Sequence, residues 1–227
     1  VTYAYCTAEN NWRASSLGFF GGKNLTAHHL AIFDALESGL RINSDFSGPG
    51  FDANGTINIY DITINHCGCT GGTRGNSGDF WGNTQGALNI GSTNYYAIHN
   101  VMLNNITINN ARSYGMFIRA TNSNPLNNIA LNNISINGAK MGIYFFGARG
   151  NATYCNLSFQ NVDKNMNNVP STFSWTQATD CQPPISSGQG ISTNNNQAAT
   201  YVHKFFRDGL LYISVNGHTY DILGRKL

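Results

Sequence analysis

The chain has 227 residues, enough for one domain with a full core and a small appendage. Charged residues are 11% of it, glutamate occurs only at Glu9 and Glu37, and 33 asparagines and 25 glycines stand where surface helix formers usually do. Soluble domains carry roughly 25% charged residues, so an ordinary helical protein is excluded; a net charge of +2 with no basic run excludes a nucleic-acid partner. No apolar stretch approaches the roughly 20 residues that span a bilayer. The start at Val1, without an initiator Met or a signal peptide, reads as a mature or excised piece.

Taken in chain order, residues 1–24 read as an irregular first coil, and a repeat then begins. Its copies are Leu25–Ile32, Ile57–Ile64, Val101–Ile108, Ile129–Ile136 and the weaker Ala152–Phe159. Each alternates apolar and polar residues on both sides of a one-residue offset, which predicts two short strands meeting at a corner. His29, Asp61, Asn105, Asn133 and Asn156 occupy that corner, where polar side chains can bond the backbone and one another as a ladder. A second strand beginning with glycine follows in Gly39–Ile42, Gly86–Ile90, Gly115–Ile118 and Gly142–Phe145, delayed in the second coil by the insertion 71–85. Variable loops on a constant stack predict an all-β chain, a right-handed parallel β-helix, over residues 1–165.

Residues 166–198 read as a capping segment and linker, rich in Pro, Ser, Gly and Asn, with Phe173 and Trp175 placed to fold back over the last coil. Residues 199–227 change character: Asp208-Gly209 and Asn216-Gly217 punctuate alternating segments, predicting a small hairpin tail. The five cysteines lack metal-type spacing and point to one or two disulfides, with Cys155 and Cys181 a candidate pair. No metal or cofactor is implied. His28, His29, His66 and His99 fall at different places in the repeat and share no obvious face.

Carboxylates are scarce for glycan-cleaving chemistry, which needs two flanking a bond. Asp45, Asp52 and Asp79 are the three that could converge in one groove, and they carry the enzymatic alternative, a β-helical polysaccharide hydrolase or lyase. Aromatic residues are the stronger signal. Phe117 and Tyr144 fall on outward positions of the second strand, with Tyr114 beside them and Phe80 and Trp81 on the long insertion. Stacked on sugar rings, with Asn89, Arg41 and Arg119 bonding hydroxyls, they would suit a neutral glycan.

Two resemblances follow. The Asp208-Gly-x-Leu-Tyr-Ile213, Asn216-Gly-x-x-Tyr220 and Leu223-Gly-Arg225 runs resemble the C-terminal sorting domain of bacterial type IX secretion, which implies a secreted or cell-surface destination. The Asn-Asn-Ile-Thr/Ser-Ile coils resemble β-helical carbohydrate-binding modules attached to bacterial xylanases, and less closely the β-helical domains of α-1,3-glucanases, whose paired aspartates this sequence lacks. The first of these implies a monomeric, non-catalytic module that holds a covalently linked glycoside hydrolase on xylan or a related β-glycan.

Overall fold

The computed structural model describes residues 2–10, 15–44, 50–69, 85–92, 95–121, 123–181, 202–207, 210–215 and 218–221. They form an all-β chain in two units, residues 1–187 and 188–227. Among the described residues no helix is long and apolar enough to cross a membrane.

The first unit is the expected parallel β-helix. Its larger sheet, A, contains β1 (Thr2–Ala4), β2 (Thr7–Glu9), β4 (Leu25–Phe33), β6 (Ile57–Asn65), β8 (Ile98–Asn109), β10 (Leu126–Ala139), β12 (Gly150–Val162) and β13 (Phe173–Gln177). Sheet B contains β3 (Leu17–Phe19), β5 (Leu40–Asn43), β7 (Gly86–Gly91), β9 (Tyr114–Arg119) and β11 (Met141–Phe146), in the order β3-β5-β7-β9-β11. Every pairing within these two sheets is parallel. The chain thus crosses from A to B and back once per coil.

Register sets the core. Leu25, Ile57, Val101, Ile129 and Ala152 stack in one inward column, with Leu30/Ile62/Ile106/Ile134/Leu157 and Ile32/Ile64/Ile108/Ile136/Phe159 in two more. Sheet B supplies Leu40/Leu88/Met116/Ile143 and Ile42/Ile90/Ile118/Phe145. Nearly all are sealed from water, and each such side chain contributes about 1.5–3 kcal/mol.

The repeat's corner is a single residue in the left-handed region, so the two halves predicted as separate strands run as one bent strand. His29, Asp61, Asn105, Asn133 and Asn156 all have φ of 52–55°. Asn, Asp and His accept this conformation more readily than other side chains. A second corner column holds Asp34, His66, Asn110 and Asn161, also left-handed. Side chains bond along both columns: Asn105 Nδ2 donates to Asp61 Oδ1 (3.0 Å), Asn156 Nδ2 to Asn133 Oδ1 (2.9 Å) and Asn161 Nδ2 to Asn137 Oδ1 (2.8 Å).

Two departures from expectation concern the coil ends and the glycine column. The first coil is regular, with β1 and β2 pairing the two halves of β4 and Tyr5 and Asn10 at left-handed corners. Its Thr-Tyr-Ala-Tyr-Cys sequence carries too few aliphatic residues to display the alternation. In β7, register aligns Leu88 with Leu40 and Met116, so Ala87 rather than Gly86 stands in the glycine column. At the other end β13 pairs β12, and Trp175 stacks on Tyr154 with centroids 4.8 Å apart. A Cys155–Cys181 disulfide fixes the same segment.

The second unit is an antiparallel meander of β14 (Val202–Arg207), β15 (Leu210–Val215) and β16 (His218–Asp221). The dipeptides expected to turn between them, at 208–209 and 216–217, lie outside the described residues.

Candidate functional site

The outward face of sheet B carries two rows that run from strand to strand. Arg41, Asn89, Phe117 and Tyr144 form one; Asn43, Gly91, Arg119 and Phe146 form the other. Neighbouring strands lie about 4.8 Å apart, so both rows follow the helix axis. Their two halves differ in chemistry: the β5–β7 half is polar, and the β9–β11 half is largely aromatic.

In the polar half Arg41, Asn43, Gln85 and Asn89 are buried although they point away from the core. Glu37, in the turn between β4 and β5, is buried too, with a carboxylate oxygen 4.0 Å from the Arg41 guanidinium. That guanidinium also lies 5.7 Å over the Phe20 ring, a favourable cation–π placement. Burial pulls Arg41 below its ordinary pKa; Glu37 opposes the fall and the charge of Arg119 adds to it. Burial alone lowers Arg119. Gly91 has a steric reason: a Cβ there would lie 3.0 Å from Arg119 Nε and 3.2 Å from Asn43 Nδ2, so glycine lets Arg119 lie across β7 toward Asn43. Asn89 Nδ2 donates to Gln85 Oε1.

In the aromatic half the rings stack on one another. Tyr114 and Tyr144 have centroids 4.6 Å apart, Phe117 and Tyr144 5.6 Å, and Tyr144 and Phe146 6.5 Å, all within 30° of parallel. This is the described part of the expected sugar-stacking platform; Phe80 and Trp81 lie outside the described residues. Rings that cover each other's faces along the axis present mainly edges outward, and Phe117 is only 5% exposed. The free surface belongs to Phe146, the last residue of β11, which is 60% exposed. Burial raises the Tyr114 hydroxyl above its usual pKa, with Tyr144 adding to it.

The three carboxylates expected to converge do not form a described cluster. Asp52 sits in the turn that leads into sheet A, exposed, with Lys23 Nζ at 3.3 Å and the Asn54 amide donating to it at 2.8 Å. That amide, then Lys23, holds its pKa low. Asp45 and Asp79, with Phe80 and Trp81, lie outside the described residues. Glu37, Asn43, Gln85 and Phe20 were missed as site residues. The i,i+4 spacing of Glu37 and Arg41, and the alternation that carries Arg41 on to Asn43, were the available signals.

The histidines sort by corner. His29 Nε2 lies 3.5 Å from Asp61, and His66 Nδ1 lies 2.6 Å from Asp34 with Arg112 alongside, so each pairs with a carboxylate of the adjoining coil. Among the described residues no three His, Cys, Asp or Glu side chains converge as a metal would require.

No protein-family model matches the chain, and no curated protein does. Solved structures do. The catalytic domain of Agl-KA superposes with a TM-score of 0.63 at 28% identity, covering 78% of this chain and 32% of that one. Catalytic domains of a GH87 α-1,3-glucanase, in two aspartate-to-alanine variants complexed with tetrasaccharides, give TM-scores of 0.64 and 0.62 at 23% and 22% identity. Each of these covers 75% of this chain and 34% of the other, so the chain spans about a third of the structures it matches. All three are catalytic domains, which overturns the expectation of a non-catalytic xylan-binding module and of a chain that is not an enzyme. The β-helix of an α-1,3-glucanase is the likeness that the fold bears out.

Proposed function

We propose that this chain is the β-helical part of a secreted polysaccharide hydrolase whose substrate is an α-linked glucan, held along the outward face of sheet B. The observation that carries the reading is the superposition of 78% of the chain, at 28% identity, on the catalytic domain of Agl-KA, together with the fold shared with the GH87 α-1,3-glucanase catalytic domains. The face itself supports it. Arg41, Asn89 and Arg119 would meet hydroxyls in the polar half, while Tyr144 and Phe146 flank the chain where it leaves.

Hydrolysis needs a pair of carboxyl groups about 5–10 Å apart across the scissile bond. The two neighbour variants alter aspartates at adjacent positions, whereas no two acidic residues are adjacent in this sequence. The pair here would therefore come from separate segments. Asp45 follows β5 by two residues, Asp79 precedes β7, and β5 and β7 are neighbours in sheet B. The tail that resembles a type IX sorting domain would direct export.

The test is release of reducing ends from α-1,3-glucan, with xylan, mannan and pectin as controls. Release from the glucan, lost in Asp45→Asn or Asp79→Asn and kept in Asp52→Asn, is the expected result. No release from any polymer by the wild-type chain would sink the reading.

A further inference from the structure

Two buried amides on the sheet B face have side-chain atoms left without hydrogen-bond partners. Asn43 and Asn89 are both 0% exposed. Neither Oδ1 nor Nδ2 of Asn43 is bonded, and Asn89, which donates to Gln85, has no donor for its Oδ1. The large majority of buried side-chain polar atoms are paired in folded proteins, and an unmet one costs about 1–3 kcal/mol. Both point away from the core, toward the face on which Arg41 and Arg119 stand. Leucine in either place would fill the space without that cost.

We infer that Asn43 and Asn89 are specificity-determining residues that read the hydroxyl pattern of a neutral glycan; the inference rests on the polysaccharide reading above. What is missing from the pair calls for a ligand that both donates and accepts hydrogen bonds. Two carbonyl oxygens need donors, and the NH2 group of Asn43, with two N–H bonds, needs acceptors. A phosphate or carboxylate only accepts, and would leave both oxygens unmet; an ammonium only donates, and would leave that NH2 group unmet. Hydroxyl groups do both, and neighbouring hydroxyls on a pyranose supply donors and acceptors side by side. Asn43 and Asn89 lie on adjacent strands, diagonal to each other in register, because Asn43 pairs Gly91 and Asn89 pairs Arg41. Contact is therefore spread across two strands, along the same axis as the rows. Both amides are sealed from solvent in the chain alone, and a glycan bound on this face would complete bonds that the folded chain lacks.

The experiment is a chemical double-mutant cycle. Binding of an α-1,3-linked glucotetraose, and of its mono-deoxy analogues, is measured by calorimetry for the wild-type chain, Asn43→Leu and Asn89→Leu. The expected result is a hydroxyl whose removal weakens wild-type binding about tenfold and leaves one of the leucine variants unaffected, the size of a single well-made hydrogen bond. Coupling of that kind stands whatever the variants do to stability, and a melting temperature at or above wild type in the variant that shows it would reinforce the result. Wild-type binding in which every deoxy analogue loses equally in all three proteins overturns this inference alone. Failure of the wild-type chain to bind the tetraose overturns it together with the functional reading.

Discussion

The side-chain amide of Asn167 closes the edge of sheet B by pairing with both backbone groups of Phe145. Its Oδ1 accepts the Phe145 N–H at 2.7 Å and its Nδ2 donates to the Phe145 carbonyl at 2.8 Å, so one side chain completes what a further strand would supply. Asn167→Ala should cost about 1–3 kcal/mol and expose β11 for edge-to-edge pairing. The expected outcome is a lower Tm together with concentration-dependent association in light scattering. Asn167→Asp, which keeps the acceptor and loses the donor, should lie between.

The ring stack makes opposite predictions for two residues of one face. Phe117 is buried between its neighbours, and Phe117→Ala should lose about 3–5 kcal/mol of stability. Phe146 ends the stack largely in solvent, so Phe146→Ala should leave the melt almost unchanged while weakening retention on insoluble α-1,3-glucan. If the two variants behave alike in thermal denaturation, the ring arrangement is wrong.

The stack of coils was legible because its signal is periodic. Ile57, Ile62 and Ile64 announce their inward faces by spacing, and the offset at Asp61 marks the corner. The first coil was not legible, since Tyr3 and Ala8 take inward places and Tyr5 the corner without aliphatic alternation. At the site, alternation put Phe117 and Tyr144 on outward positions, and register sets Arg41 and Asn89 in the same row. Alternation could not show that the two aromatic rings would turn face to face, because ring orientation depends on the neighbouring strand's side chains. Nor could it show that Asn43 is buried, because burial on an outward face depends on what covers that face.

Gly115 is required by packing rather than by backbone dihedral. A Cβ there would fall 2.6 Å from Ile136 Cγ2 and 2.7 Å from the Gly142 carbonyl oxygen, closer than real Cβ atoms approach. Gly115→Ala should therefore destabilise by about 1–3 kcal/mol, even though alanine is ordinarily the better residue in regular structure. Ala87 in the same column shows that β7 has more room, so Ala87→Gly should cost about 1 kcal/mol at most. Urea denaturation with unchanged m-values would report both differences.

Acid sensitivity should be concentrated at His28. Burial, then the neighbouring His29, lowers its pKa, with Asp61 opposing; its ring stacks on Tyr60 with centroids 4.9 Å apart and its Nδ1 lies 2.7 Å from His29 Nδ1. A lowered pKa means that the unfolded chain takes up the proton first as pH falls below about 6.5, so stability is full above that pH and declines beneath it. Register places His28 in one column with Tyr60, Asn104 and Asn132, so His28→Asn uses a residue that this column already accepts. The drop in Tm between pH 7.5 and pH 5.5 should be smaller in the variant. An identical drop would assign the acid response to other groups.

The Cys155–Cys181 disulfide should act on the last coil through the unfolded chain. It joins β12 to the segment that follows β13 across a sequence separation of 26 residues, and closing a loop of that size stabilises by about 3 kcal/mol. Cys155 pairs with Asn132 in register, so Cys155→Asn with Cys181→Ser removes the link with the least disturbance to the column. A Tm lowered by ~10 °C follows from those figures for a unit of this length. The loss should be regional as well as global. Without the link, β13 is held by its backbone pairing with β12 and by Trp175 on Tyr154, so amide exchange should quicken first in Phe173–Gln177 and then in the half of β12 that pairs with it. Exchange that quickens equally in β4 would mean that the disulfide supports the stack as a whole, and that β13 is not a separable cap.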